Sequence, residues 1–94
     1  MKKKSFSESL DTAVFTTRFV VRDKSPILFV SHDADGSWQF HGNETNVDDK
    51  DMMLVGLGEV IEIDNTILEI ADLPSGFEAM RSRKGEQWKT MNSN

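Results

Sequence analysis

From Ala13 to Arg22 the chain reads Val14, Phe15, Thr16, Thr17, Arg18, Phe19, Val20 and Val21, β-branched or aromatic at almost every position. Alternation with period two puts Phe15, Thr17, Phe19 and Val21 on one face and Thr16, Arg18 and Arg22 on the other, which predicts a half-buried strand. The polar segment 22–26 ends in Pro26 and is a turn. Residues 27–32 form a second strand. Its four consecutive apolar residues predict cover on both faces and a central place in the sheet. Asp33-Ala34-Asp35-Gly36 is a hairpin connection, Asp-Gly supplying the positive φ of a tight turn. Residues 37–41 return with Trp38 and Phe40 inward and Ser37, Gln39 and His41 outward.

A polar loop over 42–51 follows. Residues 52–57 are short and apolar, a strand by length. Leu57, Val60, Ile61, Leu68 and Ala71 then recur at helical spacing, interrupted at Asp64-Asn65-Thr66. This predicts two short helices over about 58–63 and 66–72, the second opened by a capping box from Thr66 to Glu69 and stopped by Leu73-Pro74-Ser75-Gly76. Residues 77–82 alternate as a last strand, and Trp88 is expected to fold back over an open end of the core. Both ends, 1–11 and 90–94, are expected to fray. The order describes a single α+β domain: a mainly antiparallel sheet of about five strands, with two short helices on one face or edge.

Charge changes this picture more than composition does. The chain of 94 residues has a net charge of -5, unevenly placed. Residues 1–42 carry +1, residues 43–73 carry -8, and residues 74–94 carry +2. A field of that sign repels phosphate backbones and anionic lipid, and attracts a basic protein. There is no cysteine, which excludes a disulfide scaffold, a thiolate metal site and a Cys nucleophile. No apolar run approaches the ~20 residues of a bilayer span, and the basic start lacks the apolar stretch of a signal peptide. A cytoplasmic location is expected.

The candidate catalytic motifs fail on spacing. Asp33-Ala34-Asp35-Gly36 resembles the opening of a calcium loop, but its Gly comes two residues early and the twelfth position lies beyond a strand. Ser31-His32-Asp33 holds all three triad residue types on one strand, where neighbours point to opposite faces. Gly56-Leu57-Gly58 lacks the third Gly of a phosphate turn, with Glu59 beside it. Consecutive aspartates in a loop lack the burial that sets carboxyl pKa values apart. His32 and His41 flank the hairpin and would share a metal with Asp33 or Asp35 only if they met on one face. Centring the turn on Ala34-Asp35 or on Asp35-Gly36 pairs His32 with Ser37 or Gln39 instead. The aromatics Phe15, Phe19, Trp38 and Phe40 lack flanking basic residues and read as core rather than a nucleic-acid platform.

The hairpin and the stretch 63–81, with a Trp shortly after, resemble a group of small bacterial proteins similar to the immunity-protein-like domain of polymorphic toxin systems. The residues that carry the likeness are His32, Asp33, Asp35, Gly36, Trp38, Phe40, Asp64, Leu73, Pro74, Gly76, Ala79, Arg81 and Trp88. The resemblance covers about residues 27–88 and implies a non-enzymatic role, with a basic nuclease toxin as the kind of partner it would take.

The expected function is therefore binding of a basic protein, with no enzyme activity, no cofactor and no metal. The candidate contact residues are Glu44, Asp48, Asp49, Asp51, Glu59 and Glu62. The alternatives are a small-ligand or metal-binding domain using His32, Asp35 and His41, and a structural homodimer joined through the first strand as an exposed edge.

Overall fold

The computed structural model describes residues 4–93, so the ends of the two segments expected to fray, residues 1–3 and 94, lie outside the described residues. Six strands form one sheet: β1 (Ala13–Thr17), β2 (Phe29–His32), β3 (Trp38–His41), β4 (Met52–Gly56), β5 (Phe77–Met80) and β6 (Lys89–Asn92). Their spatial order is β4-β1-β3-β2-β5-β6. All neighbours are antiparallel except β1 and β3, which run parallel with Phe15 opposite Gln39. The domain is α+β, with a mixed sheet of six strands where a mainly antiparallel sheet of about five was expected. The sixth strand comes from residues 89–92, of which 90–92 belong to the end expected to fray; Glu78 faces Met91 across it.

The first predicted strand is where the pattern misleads. It ends at Thr17, whose side chain accepts from the Val20 N–H at 3.3 Å and caps a helical turn, α1 (Arg18–Val21). Val14 and Thr16 are buried and Phe15 is 40% exposed, the reverse of the predicted facing. Val14 and Val20 fall in the same alternating set as Thr16 and Arg18, so both sets contain apolar residues and alternation alone cannot choose the inner one. The helical turn also carries the chain past a simple hairpin, so β3 rather than β2 lies beside β1. Strand β1 is interior between β4 and β3, so the homodimer through it as an edge is ruled out.

The helical elements sit on one face. They are α1, α2 (Leu57–Ile63), and 3₁₀ segments at Asp49–Asp51 and Asn65–Ile70. Leu57 and Val60 of α2, Ile67, Ile70, Leu73 and Trp88 pack with Val14, Val30, Trp38, Phe40 and Ala79 of the sheet. Trp88 thus closes the core as expected. The second predicted helix is a 3₁₀ segment, and its cap is Asp64, which accepts from the Thr66 N–H at 3.0 Å, rather than Thr66 itself.

Among the described residues, none of the helical elements that supply the core packs on the opposite sheet face. One row crosses it from edge to edge: Leu54, Phe15, Gln39, Ser31, Glu78 and Met91, each opposite the next.

Candidate functional site

The six acidic candidates do not form one surface. Asp51 is buried and tied inward. Its Oδ1 accepts from Arg18 Nε at 2.7 Å and its Oδ2 from the Asp48 N–H at 3.1 Å. The Arg18 guanidinium, then the Asp48 N–H, hold the Asp51 carboxyl below its ordinary range. Glu44 is half-buried, accepts from Ser25 Oγ at 2.8 Å, and folds over Gly42. Asp48, Asp49, Glu59 and Glu62 remain exposed.

The short α1 links these four. Its first residue, Arg18, holds Asp51 at the start of β4, and its last, Val21, lines a shallow cavity of about 420 Å³ with Lys24, Glu59, Glu62 and Ile63. Lys50 Nζ lies 4.0 Å from Asp48. Among the described residues, Asp49, Glu59 and Glu62 have no ion-pair partner. The exposed carboxylates thus fall in two pairs: Asp48 and Asp49 with Lys50 ahead of β4, and Glu59 and Glu62 on α2 after it, lining the cavity with Lys24.

The hairpin is built differently from the metal-site alternative. Gly36 N–H donates to Asp33 O at 2.9 Å and Asp33 N–H to Ser37 O at 2.8 Å, with Gly36 at φ 92°. This is a three-residue loop with a left-handed Gly, so His32 faces Trp38 rather than Ser37 or Gln39. Asp35 caps the loop, and the Ser37 N–H holds its carboxyl below the ordinary range. His32 lies on the core face. It stacks on Trp38 at 3.9 Å between ring centroids, and its Nδ1–H donates to Leu73 O at 2.7 Å. Trp38 Nε1 donates to Glu8 Oε2 at 2.9 Å, and Phe6 meets Trp38 edge-on. His41 lies on the open face beside Gln39. The two imidazoles point to opposite sides of the sheet and cannot share an ion. Among the described residues no group of three or more His, Cys, Asp or Glu side chains is placed to hold a metal.

On the open face, Asp33 accepts from Ser31 Oγ at 2.5 Å and from Gln39 Nε2 at 2.8 Å, and Gln39 Oε1 lies 3.0 Å from His41 Nε2. Burial pushes the His41 pKa down, against the weaker opposing pull of Asp33 and Glu44.

Charge counting also missed a buried pair. Arg81, its side chain fully enclosed, donates to Ile27 O through Nε at 3.1 Å and Nη2 at 2.9 Å, and to Asp64 Oδ2 at 3.0 Å. Its guanidinium lies 4.0 Å over the Trp88 ring. The motif residues Asp64, Arg81 and Trp88 thus meet in space, as do His32, Trp38 and Leu73. They are ties within the fold.

No helix among the described residues is long and apolar enough to cross a membrane. No family model, curated protein or solved structure gives a significant match to this chain.

Proposed function

We propose that this protein is a non-enzymatic protein-binding module, engaging a basic partner through Asp48, Asp49, Glu59 and Glu62. The observation that supports this reading is the exposure of these four carboxylates ahead of β4 and on α2, three of them without an ion-pair partner among the described residues. Exposed charge of one sign speeds association with a basic surface and disfavours acidic competitors. The resemblance to immunity-protein-like domains points the same way, a basic nuclease toxin being the kind of partner that such a surface would cover. Asp51 and Glu44 leave the contact set: both Asp51 oxygens are engaged within the fold, and Glu44 turns inward, its Oε2 on Ser25 and its Oε1 buried without a hydrogen-bond partner among the described residues.

The test is capture from a lysate of cells that make the protein, followed by titration of the purified partner. Glu59→Lys with Glu62→Lys is expected to weaken binding about tenfold at low salt and to flatten its salt dependence. Glu69→Lys, an exposed reversal outside the set, is the control. Equal affinity for the double reversal and the wild type would refute the reading.

A further inference from the structure

The two edges of the sheet are unlike. β6 ends it with Lys89, Thr90, Met91 and Asn92, a short polar strand carrying the charge that discourages strand addition. β4 ends it with Met52, Met53, Leu54, Val55 and Gly56, which hold no charge, proline or bulge. Among the described residues, three of the four large exposed apolar side chains lie at this end: Leu54 on β4 (61% exposed), Phe15 opposite it on β1 (40%), and Leu10 (64%). The carbonyl of Leu10 accepts from the Gly58 N–H just beyond β4.

The backbone shows which groups on that edge are free. Leu57 N–H donates to Thr12 O at 2.9 Å, continuing the β1–β4 register. Bonding alternates along an antiparallel ladder, so Val55 and Met53 also turn toward β1, and Met52, Leu54 and Gly56 turn outward. The Met52 N–H is already given to Asp49 O. Gly56 is the N-cap of α2, a position whose carbonyl accepts the first helical bond. What remains is the Met52 carbonyl, the Leu54 N–H and carbonyl, and the Gly56 N–H: two donors and two acceptors.

We infer that the β4 edge is a self-pairing surface, its occupant β4 of a second copy of this chain, antiparallel and centred on Leu54. A two-fold axis there lets each Leu54 N–H meet the Leu54 carbonyl of the other copy, and each Gly56 N–H meet the other copy's Met52 carbonyl. Both copies use every free group on the edge, and none is left over. The two sheets become one, with Leu54 and Phe15 of both copies joined in a single apolar patch on the open face. A five-residue ladder is only about 17 Å long. The contact therefore falls below the roughly 1,200 Å² of a standard stable interface, and the dimer is a reversible one.

Sedimentation equilibrium of the full chain from about 10 µM to about 1 mM reads this directly. The wild type is expected to move from monomer toward dimer across the series. Leu54→Lys places two like charges on the axis and is expected to raise the dissociation constant about tenfold. Met91→Lys, at the other edge, leaves it unchanged. Amide exchange supplies a second readout: Leu54 and Gly56 gain protection with concentration, while Val55, already bonded to β1, does not. A wild type that stays monomeric throughout, or a dimer equally strong in Leu54→Lys, overturns the proposal. So does a dimer whose Leu54 and Gly56 amides gain no protection.

Discussion

Replacing Arg81 by Met removes a buried guanidinium while keeping most of its stem. The change strips the Ile27 carbonyl of two donors and leaves Asp64 enclosed without its 3.0 Å partner. Asp64 retains the Thr66 N–H and hydroxyl at 3.0 and 2.6 Å, and Lys84 Nζ at 3.7 Å. Breaking a buried pair by removing one partner costs about 3–5 kcal/mol, and the retained Thr66 and Lys84 contacts set the expectation near the lower end, about 3 kcal/mol. A domain of this length has about 5–15 kcal/mol in total, so the variant keeps a folded population at 25 °C. Its melting point falls by roughly 12–24 °C, at about 4–8 °C per kcal/mol. Urea unfolding at neutral pH, followed by tryptophan fluorescence and far-UV circular dichroism, measures the loss. Asp64→Asn alone keeps a cap oxygen for Thr66 and removes the charge. Combining it with Arg81→Met is expected to cost at least about 1 kcal/mol less than the two single losses together, because the double variant buries no orphan carboxylate. An Arg81→Met protein within about 1 kcal/mol of the wild type, or strict additivity in the cycle, would refute the pairing argument.

Two further substitutions test the open face and the hairpin. His41 has a folded pKa below its ordinary 6.5, chiefly through burial, so the unfolded chain takes up the proton first. Its contribution to stability is complete above 6.5 and is lost as pH falls through that value toward the folded pKa. His41→Gln is expected to flatten the fall in melting point between about pH 7 and pH 5, and parallel curves for the two proteins would count against it. Gly36→Ala meets no atom within 4 Å, so its cost is the left-handed backbone alone, about 1–2 kcal/mol with an unchanged urea slope; a variant as stable as the wild type would show that the turn does not need that φ.

Local chemistry made the hairpin legible. Asp35-Gly36 marked its turn, and the alternation of Trp38 and Phe40 marked its inner face, which the structure bears out. The central place of β2 followed from its apolar run, and the return of Trp88 from the need to cover a small core. What escaped was set by contacts distant in the chain. The register of His32 turned on one residue of loop length, and that residue decided which face the imidazole took. The end of β1 turned on Thr17 capping a helical turn within a run of otherwise strand-forming residues. The parallel pairing of β1 with β3 has no local signature at all, because it depends on where the chain crosses after α1.

The same distinction decides what the acidic middle third means. As sequence, its carboxylates are equivalent; in the fold, Asp51 and Asp64 are internal ties, each fixed by an arginine from a distant segment. Only the remainder is free to act on a partner, and the proposed binding there and the inferred pairing at the β4 edge would respond oppositely to salt. Attraction of Asp48, Asp49, Glu59 and Glu62 to a basic surface weakens as ionic strength rises. Pairing of two copies, each with a net charge of -5, is resisted by like charge and strengthens when that charge is screened. Asp49 and Glu59 flank β4 on its two sides in the chain, so antiparallel pairing brings the acidic end of one copy toward that of the other. One salt series on the same preparation therefore separates the two surfaces: a complex that dissolves with salt belongs to the acidic side, and one that grows belongs to the edge.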